Sequence, residues 1–155
     1  MTETPTATGR RILVDADACP VKDEVYKVAW RLEVPVWIVS NSHLRVPQHP
    51  LLNRIVVGDG FDAADDWIAD NAGPGAVVVT ADILLADRVL KAGAQAIAPT
   101  GKPFTTSSIG AAIATRAIMA DLRASGDQLG GPAAFSKADR SRFLQALDTA
   151  LVRAR

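Results

Sequence analysis

Arg11–Asp15 reads RILVD, a short apolar run of β-branched character that ends in a carboxylate, and Asp17 follows two residues later as the chain turns away. This is the pattern of a buried strand whose carboxyl end carries acid into a crevice. From this strand outward the chain alternates. Pro20 suits the first turn of a helix, and Val21, Val25, Val28, Ala29 and Leu32 recur at spacings of three and four, giving an apolar face that runs to about Glu33. Pro35–Ser40 (PVWIVS) is a second strand, the polar and proline-rich NSHLRVPQHP is a loop, and Arg54–Val57 is a third strand. Asp62–Asn71 reads as a short helix and Ala76–Ala81 as a fourth strand. A helix over Ile83–Lys91 stops at Gly93, and Ala96–Ala98 is a brief strand.

Alternation of this kind predicts an α/β fold, with a mainly parallel sheet covered by helices on both faces and right-handed crossovers. Ligands of such sheets sit beyond the carboxyl ends of the strands. The last third differs. Thr105–Ser125 and Ser136–Arg153 read as two longer C-terminal helices, separated by the glycine-rich SGDQLGGP and expected to pack as an appendage on the sheet.

Composition narrows the function classes. The 155 residues fit one domain spanning 10–155 after a disordered Thr/Pro tail at 1–9. Seventeen basic residues balance seventeen acidic ones, so the global positive field of many nucleic-acid binders is missing and any polyanion must be met locally. One cysteine, Cys19, excludes an internal disulfide and fits a reducing compartment, so a cytoplasmic setting is expected. No apolar segment reads as a signal peptide or a membrane span.

The chemistry-bearing residues are aspartates at strand ends. Asp15 and Asp17 follow the first strand, Asp62, Asp65 and Asp66 open the helix after the third, and Asp82 ends the fourth in TAD. Singly, each reads as a helix cap or a first-turn charge. Jointly they would repel one another in one crevice unless a cation neutralised them, and hard oxygen donors suit magnesium or manganese. A dication held there supports hydrolysis of phosphate esters. The histidines, His43 and His49, sit in a loop without a partner at a recognised metal-ligand spacing, and Cys19 reads as packing rather than nucleophile. GDGFDA at Gly58–Ala63 has the form of a dinucleotide fingerprint, but its acids stand where a pyrophosphate would bind.

Two other classes stay open. ILVDADA, Ser40 and GDGFD also resemble the motifs of haloacid-dehalogenase-like phosphohydrolases, which would make Asp15 a nucleophile and Asp17 a general acid in phosphomonoester hydrolysis. A non-catalytic RNA- or protein-binding module is the third; three tryptophans, one tyrosine and four phenylalanines give it little stacking surface.

Four segments taken together, VDADACP closing at Pro20, GFDAAD at Gly60–Asp65, TADILLAD at Thr80–Asp87 and GGPAAFSKADRSRF at Gly130–Phe143, resemble the YaiI/YqxD family of uncharacterised bacterial proteins over about Ile12–Leu151. That family resembles the PIN-like nucleases, whose sheet gathers acids around magnesium or manganese to cut RNA or DNA. The resemblance implies metal ligation by Asp15, Asp17 and Asp82, a contribution from Asp62 and Asp65 to the site or the attacking water, and Asp87 as a further ligand. The pattern departs at Ala117, where the family carries Asp or Asn after the arginine. Lys102, Arg116, Lys137, Arg140 and Arg142 are the cations placed to meet a phosphate backbone of RNA or another nucleic acid.

Overall fold

The computed structural model describes residues 9–58, 60, 62–124 and 135–154, with the side chains of all of these except 18 and 119–124. Residues 1–8 of the expected tail and the whole of the glycine-rich break lie outside the described residues.

Strand β1 (Arg11–Asp15) is apolar on both sides, with Ile12, Leu13 and Val14 fully buried, because it lies at the centre of the sheet. β2 (Val36–Ser40) pairs with it on one side, Ile12 opposite Val36, and β4 (Ala76–Val79) on the other, Val14 opposite Val79; both are parallel. β3 (Leu52–Val56) flanks β2, β5 (Gln95–Ile97) flanks β4, and β6 (Pro103–Phe104) closes the far edge, giving the order β3-β2-β1-β4-β5-β6. The first five strands are parallel and β6 is antiparallel to β5. The chain winds outward through β2 and β3, then returns past β1 to β4. The sheet therefore has its switch point between β1 and β4, where a crevice opens beyond the carboxyl ends.

Period-two alternation sends successive strand residues to opposite faces. Ile12, Val14, Ile38, Val77 and Val79 meet α1 (Lys22–Leu32) and α5 (Lys137–Arg153). Leu13, Trp37, Val39, Val78 and Ala96 meet α2 (Ala63–Asn71), α3 (Ile83–Lys91) and the start of α4 (Thr106–Ala124). The α/β class with helices on both faces is as expected, and it is consistent with the PIN-like arrangement that the resemblance implies. No helix among the described residues is long and apolar enough to cross a membrane.

Several expectations are corrected. α1 begins at Lys22, not at Pro20, because a single 3-10 turn over Ala16–Ala18 carries the chain out of β1 first. It ends where Glu33 takes a left-handed φ of 56°. β3 starts two residues earlier than expected, and β4 stops at Val79, two residues short, because Thr80 and Ala81 turn toward the next helix. β6 escaped notice because two residues are too few to show a period. The loop after β2 leads straight into β3 as expected, and its Leu44 and Val46 pack on the core.

The expectation of a C-terminal appendage fails for α5. Phe143, Leu147 and Leu151 recur at a spacing of four and are fully buried, so this helix packs on one sheet face as part of the core. Ser136 and Asp139 form a reciprocal capping box at its start. Gly101, at φ +90°, lies so close to α5 that a Cβ there would sit 2.6 Å from the Arg142 carbonyl carbon. That contact fixes the turn carrying Lys102.

Candidate active site

Register places the site. Val14 lies opposite Val79, so the next residues, Asp15 and Thr80, leave the sheet side by side. The Thr80 hydroxyl donates to Asp15 Oδ2 at 2.9 Å and accepts the backbone N–H of Asp82 at 3.0 Å. Asp82 caps α3: its Oδ1 accepts the N–H groups of Leu84 at 2.9 Å and Leu85 at 3.4 Å. The capping reading of Asp82 therefore holds, without removing its charge from the crevice.

α2 supplies the other wall. Asp62 occupies the N-cap position but makes no capping hydrogen bond, so its carboxylate is free of its own helix. Asp65, one turn on, is pushed up to about 6, first by burial and then by the charges of Asp82, Asp15 and Asp62, with Arg88 pulling the other way. Asp15 is raised as well: burial dominates, the Thr80 hydrogen bond opposes it, and Asp17 and Asp82 add repulsion. Asp15, Asp62, Asp65 and Asp82 thus act on one another. Asp62, Asp65 and Asp82 line a cavity of about 430 Å³ with Leu84, Leu85, Arg88 and Arg116.

The remaining predicted residues are placed differently. Asp17 is exposed in the 3-10 turn and accepts the Asn41 N–H at 3.1 and 3.3 Å, tying the end of β2 to the site. Asp87 is ion-paired with Lys91 at 2.9 Å and does not line the cavity. Asp66 pairs with Arg88 at 3.0 Å. Arg116 reaches the acidic cavity, and Lys102 lines the one beside it. Lys137 is exposed at the first position of α5. Arg140 donates to Glu24 at 3.0 Å and to the Pro20 carbonyl at 2.9 Å while lying over the Phe135 ring, and Arg142 pairs with Asp139. Both of these guanidinium groups already have partners, so they hold α5 in place instead of waiting for a phosphate.

A metal fits this donor set in chemistry: the facing groups are carboxylates, the hard oxygen ligands that magnesium and manganese take. It does not fit the positions as they stand. Among the described residues no three His, Cys, Asp or Glu close into a group that could hold an ion, and one oxygen each of Asp15 and Asp82 is already engaged.

Thr80 and Arg88 were not singled out from the sequence. Thr80 stood in the TAD motif, where a hydroxyl at a strand end two residues before an acid was the available signal; Arg88 could be found only from the packing of α3 on α2. Cys19 is buried with its thiol pushed up, chiefly by that burial, which makes it packing. The Ser40 hydroxyl is fully buried and donates to the Ser42 carbonyl. His49 lies against Trp30, ring centroids 5.4 Å apart.

Comparison with known proteins gives one consistent result. The UPF0178 protein of Sphingopyxis alaskensis is 73% identical over 143 residues, covering 92% of this chain and 93% of that protein. A UPF0178 protein of Rhodopseudomonas palustris is 63% identical, covering 92% and 90%. One from Bradyrhizobium diazoefficiens is 60% identical over 153 residues, covering 99% and 89%. No solved structure matches. The family model described as an uncharacterised BCR of YaiI/YqxD type matches residues 13–153, and the chain belongs to that family.

Proposed function

We propose that this protein is a divalent-metal-dependent phosphodiesterase of nuclease type, acting at the crevice between β1 and β4. The observation that supports the reading is the electrostatic loading of that crevice. Four carboxylates come from three separate elements, and the charges of Asp82, Asp15 and Asp62 add to burial in raising Asp65 to about 6. Folding gains nothing from such repulsion, and a bound dication would relieve it.

Magnesium or manganese would supply Lewis-acid charge for an attacking water and for the phosphoryl oxygens. The chain's own residues do the rest. Asp15 and Asp82, at the ends of β1 and β4, would hold the ion, and Thr80 fixes the Asp15 carboxylate by its hydrogen bond. Asp65, ionised only above about pH 6, accepts a proton from the attacking water or completes the ligand set. Arg116, which lines the same cavity, would hold the phosphate. Ligation would require these side chains to move closer together, since among the described residues no three of them close into a group that could hold an ion.

Phosphomonoester hydrolysis through Asp15 as nucleophile has less support, because the Ser40 hydroxyl that would meet the phosphate is buried in its own loop. The experiment is a manganese titration by calorimetry on the wild type and on Asp15→Asn, with folding checked by circular dichroism, followed by assays on RNA, DNA and phosphate esters. Saturable binding that Asp15→Asn loses, together with cleavage of a phosphodiester, is the expected result. No binding at millimolar manganese and no cleavage would overturn it in favour of a non-catalytic module.

A further inference from the structure

Beside the acidic cavity lies a second one of about 550 Å³, lined by Ile83, Lys102, Ser108, Ala111, Ala112, Thr115 and Arg116. The two share Arg116 and adjoin at the start of α3, where Asp82 lines one and Ile83 the other. Its shape follows from α4. Ile109 and Ile113 turn toward the core, while Ser108, Ala112, Thr115 and Arg116 recur three or four residues apart on another stripe. Small side chains at Ala111 and Ala112 leave the space, and the turn that Gly101 seats against α5 brings Lys102 to its edge.

Arg88, which lines the acidic cavity, is ion-paired with Asp66, whereas Lys102 and Arg116, like Lys27 and Lys137, make no ion pair among the described residues. Two unpaired cations thus flank an apolar floor, next to a cavity lined by acids.

We propose that this second cavity seats the nucleotide next to the scissile phosphate, with Lys102 and Arg116 holding its phosphate and Ile83, Ala111 and Ala112 forming the floor beneath its base, so that the substrate is a single-stranded polynucleotide. The volume lies within the range of small-ligand sites, about 300–1,000 Å³. An unstacked base can enter such a concavity and a paired one cannot, which selects single strands over duplex. A phosphomonoester fills the acidic cavity alone and leaves the second site unused. The inference rests on the phosphodiesterase reading for the reaction but concerns binding, which can be measured without turnover.

The test is fluorescence anisotropy of labelled octamers of single-stranded RNA and DNA, in EDTA and again in calcium, across a salt series. Each phosphate contact on a single strand contributes about −0.7 to the slope of log affinity against log salt. Lys102→Ala and Arg116→Ala are each expected to weaken binding and to flatten the slope by about 0.7. Lys27→Ala, an exposed cation on α1 over the other face of the sheet, should leave it unchanged. Ala112→Leu, which fills the floor, should weaken binding without changing the slope. Failure of the wild type to bind either octamer overturns the proposal, as do unchanged slopes in both charge variants. An active nuclease with unchanged slopes would overturn this inference alone. A protein that binds the octamer through Arg116 but never cleaves it would overturn the phosphodiesterase reading and leave this site standing.

Discussion

The Thr80 hydroxyl is bonded on both sides, donating to Asp15 Oδ2 at 2.9 Å and accepting the Asp82 N–H at 3.0 Å, and it is almost fully buried. One oxygen thereby fixes the acid of β1 relative to the first turn of α3. Thr80→Val keeps the shape but removes both bonds, leaving a part-buried acceptor and a part-buried donor unmatched. The expected loss is about 1–3 kcal/mol by urea denaturation, with Thr80→Ser retaining most of the stability. Manganese affinity should fall in Thr80→Val and recover in Thr80→Ser, which a purely structural role would not require.

Asp65 gives the protein a pH signature. Its folded value of about 6 lies above the ordinary 3.8, so between those values the folded state holds a proton that the unfolded state has released. Stability contributed by this group is therefore lost as pH rises through that window. Asp65→Asn should be more stable than the wild type at pH 7–8, with the difference closing toward about pH 4 in chemical denaturation. If Asp65 takes part in metal binding, apparent manganese affinity should fall below pH 6, approaching tenfold per pH unit, and the variant should lose that dependence.

Asp82 separates charge from capping. Asp82→Asn keeps an oxygen for the Leu84 and Leu85 N–H groups, so stability should stay within about 0.5 kcal/mol, whereas Asp82→Ala loses the cap and about 1 kcal/mol. Both remove the charge. Each should abolish phosphodiester cleavage, and full activity in Asp82→Asn would contradict the proposed mechanism.

Gly101 holds the turn before β6 against α5. Alanine there must adopt φ +90° and place a Cβ within 2.6–2.8 Å of the Arg142 and Phe143 backbone, which cannot yield as a flexible side chain would. Strain and overpacking together predict a loss of about 2–4 kcal/mol, read as a lowered denaturation midpoint.

The strands around β1 were legible because both of their faces are apolar, and that continuous pattern survives without an alignment. The acids at their carboxyl ends were legible for the same reason, since a strand end is a place as well as a residue. What the sequence hid lies in relations between distant segments. Asp87 looked like a ligand by its position in TADILLAD, but helical geometry turns it toward Lys91 one turn away. Arg140 looked like a free cation until Glu24, far away on α1, took it. α5 looked peripheral because its apolar residues are spaced widely among charges. Only the sheet face they cover shows why Phe143, Leu147 and Leu151 are where they are.

That covering has a consequence for the birth of the protein. The sheet face formed by Ile12, Val14, Val77 and Val79 is complete well before its lid, since roughly seventy residues separate Val79 from Leu151. At ribosomal rates of about 5–20 residues per second, the part of that face that α5 covers waits roughly 4 to 14 s for its lid in every newborn chain. A chaperone that shields β-branched surfaces has that interval in which to act, and a translational pause between α4 and α5 would lengthen it.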